Sequence, residues 1–317
     1  ASDVYKRQEG YHIEPADSIS AVLEQFYASR SLYTRMRQKS VDLRKIVSTH
    51  LERSSKKLDL QLKQLKDTEK RDKFKVYGEL LNTYGYQVTE GAKSVEVPNY
   101  YTGEMLTIPL DETLSPLDNA KKYFARYNKL KRTFEALNTQ TEETRTEIAH
   151  LQTIQAALAI AESEDDLAQI RDELETYGYI RRKMNGKKKQ KSKSKPFHYR
   201  SSDGFDIYVG KNNFQNDELT FKVANGNDWW FHAKGMPGSH VIVKTEGREL
   251  PDRTFEEAGR LAGYYSSGRD NEKIEIDYLQ RKNVKKPNGA VAGYVIYYTN
   301  YSLTIHPDIS GIEKISE

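Results

Sequence analysis

Two stretches of the chain carry apolar residues at the heptad interval. From about residue 30 to 74 a highly charged segment sets Leu51, Leu58 and Leu65 seven apart, with Leu62 between the last two and neither proline nor glycine to interrupt it. Further on, Ala120, Tyr127, Phe134 and Ile148 share one seam position, and Tyr123, Leu130, Leu137, Leu151 and Leu158 share the other. The polar Thr141 and Thr144 interrupt this second run once. The pattern predicts an antiparallel coiled-coil hairpin over 30–180, each helix roughly 40 residues and about 60 Å long. Before it, Ser18 caps a short apolar-spaced helix to Phe26, and 1–29 reads as the remnant of an upstream helical region.

The segment between the heptad runs, about 76–116, loses their period. Val95 and Val97, then Met105 to Ile108, alternate around Pro98-Asn-Tyr-Tyr-Thr-Gly103, which predicts a β-hairpin at the end of the arm. Tyr100 and Tyr101 fall in its turn, where aromatic rings have least reason to be core, and are candidate contact residues.

A short helix over Asp166–Tyr177 leads into a lysine-rich tract, 181–196, which reads as a disordered linker. From Phe197 onward the chain turns globular. Strands are predicted at Phe205–Gly210, Trp229–Ala233, His240–Lys244, Lys273–Tyr278, Tyr294–Tyr298 and Ser302–Ile305. Asn216–Ala224 reads as a short helix, and Thr254 with Glu257 forms a capping box before an amphipathic helix through Tyr265. The fold class is therefore α+β: a long helical hairpin with a small insert, followed by a globular domain over 197–317.

Composition sharpens this division. Only 37% of the 317 residues are hydrophobic while 30% are charged, and mean hydropathy is −0.82, too polar for one compact globule. No run approaches the ~20 apolar residues of a membrane span. The absence of cysteine excludes disulfides and thiolate metal sites and fits a reducing, cytoplasmic compartment. Net charge is +4, but nine of the 50 basic residues and no acidic ones lie between Arg181 and Lys195. What remains is 41 basic against 46 acidic residues, so two mildly acidic modules flank a polycationic tether.

Candidate chemistry concentrates in Asp228-Trp-Trp-Phe-His232-Ala-Lys234-Gly-Met-Pro237-Gly-Ser-His240. On a strand, Asp228, Trp230 and His232 share one face, and Trp229, Phe231 and Ala233 the other. Three readings stay open. The histidines are satisfied core residues; or Trp230 stacks on RNA bases while His232, Lys234, Ser239 and His240 meet phosphates or base edges; or Asp228, His232 and His240 form a catalytic or metal site, for which the ligand spacing is missing. A second basic group, Arg281, Lys282, Lys285 and Lys286, suits a polyanion, although Glu272, Glu275 and Asp277 precede it. No phosphate-binding loop, dinucleotide fingerprint or zinc motif occurs, so no catalytic residue, metal or cofactor is expected.

Several of these stretches resemble one family. Tyr199-Arg-Ser-Ser-Asp-Gly204, Gly210-Lys-Asn-Asn213 with Gln215-Asn-Asp217, Asp228-x-Trp230-x-His232 and Pro237-Gly-Ser-His240 resemble the NFACT-R domain of the NFACT (RqcH/NEMF/FbpA-type) family. Tyr77-Gly-Glu-Leu-Leu81, Asn99-Tyr-Tyr-x-Gly103 and Leu114-Ser-Pro-x-x-Asn119-Ala-x-x-Tyr123-Phe-x-x-Tyr127 are similar to its middle and coiled-coil segments, so the likeness spans about Ser18–Ile305. The resemblance implies a ribosome-associated quality control factor. Its partners would be tRNA and large ribosomal subunits obstructed by peptidyl-tRNA, and its outcome alanine tailing of stalled chains. The arm would reach the stalk base and its ribosomal RNA, and the ribosome itself would make the peptide bonds. The family's older name implies the alternative of a surface adhesin for fibronectin or fibrinogen, displayed without a secretion signal. Only the tail of the family's N-terminal domain is expected before Arg30, leaving a chain that docks without elongating tails. Trp229 is expected to face the core.

Overall fold

The computed structural model describes residues 18–181 and 194–315. The chain divides into two compact units, Thr49–Gln152 and the remainder, Ala1–Ser48 with Thr153–Glu317. Much of the 181–196 tract, and most of 1–29, lies outside the described residues.

Helix α1 (Ile19–Thr68, 50 residues) and helix α3 (Pro116–Ile160, 45 residues) carry the two heptad runs. Among the described residues of α1 the buried positions are Leu43, Val47, Ser54, Gln61 and Thr68, with Leu51, Leu58 and Leu65 half-buried between the last four. Leu62 was placed on the seam by its sequence spacing, but it is 37% exposed because Gln61 occupies the inward position one residue earlier. Thr141 and Thr144 do not interrupt the buried stripe of α3 either. Both are buried in line with Leu137 and Leu151, and the Thr144 hydroxyl donates to the Gln140 carbonyl at 2.8 Å. Ser115 caps α3: its hydroxyl accepts from the Asp118 amide at 3.1 Å and donates to the Asp118 carboxylate at 2.7 Å, with Pro116 at the first helical position.

Within Thr49–Gln152, helix α2 (Arg71–Tyr84) and the antiparallel hairpin of β1 (Ser94–Pro98) and β2 (Met105–Pro109) form a small core with α3. Phe74, Tyr77, Leu80 and Leu81 meet Val97, Ile108 and Ala120 there. Gly78 permits the contact, since a Cβ on it would lie 2.8 Å from the Phe124 ring. Tyr100 and Tyr101 sit in the hairpin turn as expected, 51% and 58% exposed, with ring centroids 4.6 Å apart. The Tyr101 hydroxyl donates to Glu79 at 2.7 Å.

The other unit contains α4 (Glu164–Thr176), whose capping box is Ser163 with Asp166, and a seven-stranded antiparallel sheet. Its strands are β3 (Phe197–Arg200), β4 (Asp206–Val209), β5 (Trp229–Ala233), β6 (Val241–Val243), β7 (Ile274–Gln280), β8 (Tyr301–Ile305) and β9 (Glu313–Lys314). They are arranged in the order β8-β7-β5-β6-β4-β3-β9. Helix α5 (Asn213–Glu218) continues into a wide turn over Leu219–Val223, and α6 (Asp252–Tyr264) follows β6. The architecture thus mixes long helices with a sheet, as the α+β expectation requires.

Both faces of the sheet are covered. Helix α6 packs Ala258, Leu261 and Ala262 on Phe231, Ala233, Val241, Val243 and Ile276, while the opposite face buries Leu219, Trp230, Ile242, Leu279 and Val284. The capping box expected of Thr254 and Glu257 does not form, because the helix starts earlier and both side chains reach out of it. Thr254 donates to Asp203 at 2.8 Å, and Glu257 accepts from the Ser202 amide at 2.9 Å. Tyr294–Tyr298 is not a strand: only Ile296 pairs, in a single bridge with Lys285. Strand β3, which the alternation did not flag, takes an inner place next to β4.

Candidate nucleic-acid interface

Strand β5 has the alternation expected of it, but its second face is buried as well as its first. Trp230 is 0% exposed, packed between Tyr297 (centroids 5.3 Å apart), His240 (5.1 Å) and His232 (5.6 Å). It therefore has no free ring face for a base, and the stacking role is corrected on that ground. Trp229 faces the core as expected, partly buried and packed edge-on against Phe255 at 4.8 Å.

Asp228 is also spent internally. Its carboxylate accepts from Lys244 Nζ at 2.5 Å and from the amides of Asn225 and Thr245 at 2.7 and 2.9 Å. Burial works to raise this carboxyl, but those donors outweigh it and hold it below the usual carboxylate range. A ligand set of Asp228, His232 and His240 is excluded by this geometry, and among the described residues no three such side chains gather as metal ligands.

His240, 1% exposed, shares a 2.8 Å hydrogen bond between its Nδ1 and the Thr220 hydroxyl, and Ser239 is buried beside it. Neither is a surface contact. His232 is half-buried opposite Asp277 of β7, whose carboxylate is buried and accepts from Tyr297 at 2.9 Å, Asn300 at 2.9 Å and Ser302 at 2.7 Å. Asp277 is thus removed from the surface field that the sequence assigned to it.

Burial drives the His232 imidazole down to about 4, against smaller opposing pulls from the Gly238 backbone and Asp277. Burial and then His232 push His240 well below its ordinary value too. In the unfolded chain both titrate near 6.5, so between about pH 6.5 and 4 the unfolded state binds more protons and stability rises with pH. For His232 alone the loss on going from pH 7 to pH 5 is about 2 kcal/mol. Urea midpoints at the two pH values should show at least that drop, and His232→Gln should shrink it while the share of His240 remains; an equal drop in both chains would contradict the assignment.

The Gly-Lys-Asn-Asn motif is a clamp rather than a contact surface. Lys211 Nζ lies 3.2 Å from Asp166 of α4, and Asn212 donates to Gln169 at 2.7 Å. Gln215 donates to the same Gln169 oxygen at 2.8 Å and to the Ser194 carbonyl at 3.2 Å, fixing the chain where it leaves the lysine tract. Asn216 accepts from the His240 amide at 3.0 Å. Between α3 and this motif lies a cleft of about 10 Å³, room for about one water molecule, lined by Thr153, Ile160, Gly210, Asn213, Ser239 and Tyr265.

The second basic group is the accessible one. The bridge of Lys285 with Ile296, with both backbone hydrogen bonds at 2.9 Å, folds 281–298 into a two-sided loop. Arg281 is tied down, its Nε donating to the Thr220 carbonyl at 2.6 Å, and Lys286 pairs with Asp217. Lys282 and Lys285 are exposed. On the returning side, Tyr294 is 48% and Tyr298 83% exposed. Sequence reading missed these two rings by assigning 294–298 to a strand. Tyr297 packs on Trp230 while its neighbour Tyr298 meets solvent, a split that no strand period marks because 294–298 is not a strand. Lys234 is exposed as well, with Glu275 at 3.4 Å. Exposed cations beside exposed aromatic rings are what single-stranded nucleic acid requires.

Residues 2–193 match the family model of the NFACT N-terminal and middle domains, and residues 195–297 match the NFACT protein RNA binding domain. The first match overturns the expectation that only the tail of the N-terminal region is present. Curated relatives, each called "Rqc2 homolog RqcH", are 39% identical in Streptococcus suis and 35% identical in Bacillus subtilis, over 94% and 95% of this chain. The chain spans about half of their length, 54% and 53%. The solved C-terminal structure of the fibronectin/fibrinogen-binding protein from Streptococcus suis aligns with a TM-score of 0.69 at 33% identity, covering 89% of this chain and 100% of that one. With both domain models matched along its length, the chain belongs to the NFACT family.

Proposed function

We propose that this chain is the docking and RNA-binding part of a ribosome-associated quality control factor. It would hold tRNA on large ribosomal subunits obstructed by peptidyl-tRNA, in support of alanine tailing, and carry out no covalent chemistry itself. The observation that carries the reading is the exposed loop of Lys282, Lys285 and Tyr294 within the match to the RNA-binding domain, with Tyr298 one residue beyond it. The names of the relatives support the same role. The nine cations of 181–195 would add attraction that is salt-sensitive and indifferent to sequence.

The helices would form an antiparallel coiled-coil hairpin. Supporting that, Arg44 of α1 donates to the Leu158 carbonyl of α3 at 2.6 Å, and Arg71 stacks over Phe134 at 4.0 Å, so early residues meet late ones. Tyr100 and Tyr101 would then be its contacts with the stalk base. The chain should sediment with large subunits at low salt and be released as salt rises. Failure to sediment at any salt would overturn the reading.

A second reading is favoured by the name of the Streptococcus suis structure: a surface adhesin for fibronectin or fibrinogen. Labelling of intact cells separates the two, since an adhesin is labelled from outside and a cytoplasmic factor is not.

A further inference from the structure

The sequence motif Gly210-Lys-Asn-Asn213 lies away from the loop that meets solvent, yet one of its residues touches that loop. The Asn213 amide nitrogen donates to Thr153 of α3 and to Glu173 of α4, each at 2.7 Å. Asn213 is 3% exposed and Glu173 0%. The other side of the same carboxamide fills the space left by Gly293, where φ is +77° and a Cβ would stand 2.5 Å from Asn213 Oδ1. The residues flanking that glycine are held by the same elements. The Gly293 amide donates to Asp217 at 2.9 Å, and the Ala292 amide donates to the Tyr177 hydroxyl, just past α4, at 2.7 Å. Asp217 also holds Lys286, on the outgoing side of the loop.

We infer that Asn213 is a positioning residue for the RNA-contacting loop, seating Gly293 so that Lys285, Tyr294 and Tyr298 face solvent in one fixed arrangement set by the ends of α3 and α4. It touches no RNA itself. The inference rests on the reading of that loop as the RNA surface.

The physical case is one of pre-organisation. A loop whose backbone is fixed before binding loses less conformational entropy on meeting its ligand. The loop around 285–296 has one bridge, two turn hydrogen bonds at 3.2 and 3.3 Å and the packing of Val295 on the sheet, and its 292–293 corner is held from beneath by Asn213, Asp217 and Tyr177. No short sequence signal marks this dependence, since 80 residues separate Asn213 from Gly293.

The test uses the full chain with total tRNA as the probe. Asn213→Ala should weaken binding about three- to tenfold and speed amide exchange across 285–298 in the RNA-free protein. The slope of log affinity against log salt should stay unchanged, because no phosphate contact is lost. Lys285→Ala should instead lower that slope by about 1 and leave exchange unchanged. Gly293→Ala approaches the contact from the loop side and should speed exchange as Asn213→Ala does, keeping the test open should Asn213→Ala fold poorly. Unchanged exchange in both chains would overturn the positioning role. Full tRNA affinity in Lys285→Ala combined with Tyr298→Ala would instead overturn the underlying RNA reading, leaving the exchange result to judge Asn213 alone.

Discussion

Trp230→Ala should unfold the sheet domain well below the temperature at which the parent chain melts. The indole is completely buried, with Leu219, Ile242, Leu279 and Val284 in its cluster and Tyr297 and His240 against its rings. Truncating a buried tryptophan costs about 3–5 kcal/mol, in part because the surrounding side chains cannot close the cavity. A domain of this size is stable by only about 5–15 kcal/mol. The expected fall in its thermal midpoint is therefore at least ~10 °C, with Trp230→Phe falling between. A surface stacking ring would behave in the opposite way, losing RNA affinity while the melt stayed put. Calorimetry of the two variants decides: a midpoint shift under about 2 °C for Trp230→Ala would return the residue to the surface.

Asp228→Ala is the second large effect. The substitution removes the acceptor of the Asn225 and Thr245 amides and strips the counter-charge from Lys244, whose side chain is only 18% exposed. Removing one partner of a buried ion pair costs about 3–5 kcal/mol, because the other charge stays desolvated. Lys244 keeps one partner, the Val223 carbonyl at 3.0 Å, which places the expectation at the lower end. Asp228→Asn retains an acceptor oxygen and should cost less. Urea unfolding at pH 7 should therefore rank the parent above Asp228→Asn and that above Asp228→Ala. A parent-like Asp228→Ala would show that the latch holds nothing.

Most of the fold was legible because it rests on period. The heptads gave both long helices, and the alternation from Val95 to Ile108 gave the hairpin. What sequence reading missed has identifiable physical causes. The rule that a strand has a wet face failed for β5, since a central strand covered on both sides has none, and this took Trp230 inside. Ser54, Gln61, Thr141 and Thr144 are buried against the rule that inward heptad positions are apolar, so spacing misplaces Leu62 and makes the threonines read as a break. Thr254 and Glu257 have the spacing of a capping box, but spacing does not show that both side chains turn toward the Ser201–Asp203 loop instead.

The candidate site was half legible. Charge alone picked out Lys282 and Lys285, but it could not reveal that Arg281 and Lys286 are spoken for by Thr220 and Asp217. Tyr294 and Tyr298 come beside those lysines only through the bridge of Lys285 with Ile296. The Asn213 clamp draws together residues 153, 173, 213 and 293, a set that no local pattern announces.

The central claim is that RNA is met by the 281–298 loop and not by the aromatic-histidine strand. The most direct measurement is sedimentation with large ribosomal subunits across a salt series, comparing the parent with a Lys282→Ala, Lys285→Ala, Tyr298→Ala chain and with His232→Gln. The loop variant should bind at least about tenfold more weakly, with a salt slope shallower by about 2, while His232→Gln stays within about twofold of the parent. Unchanged binding by the loop variant together with loss in His232→Gln would contradict the account and return the interface to the strand.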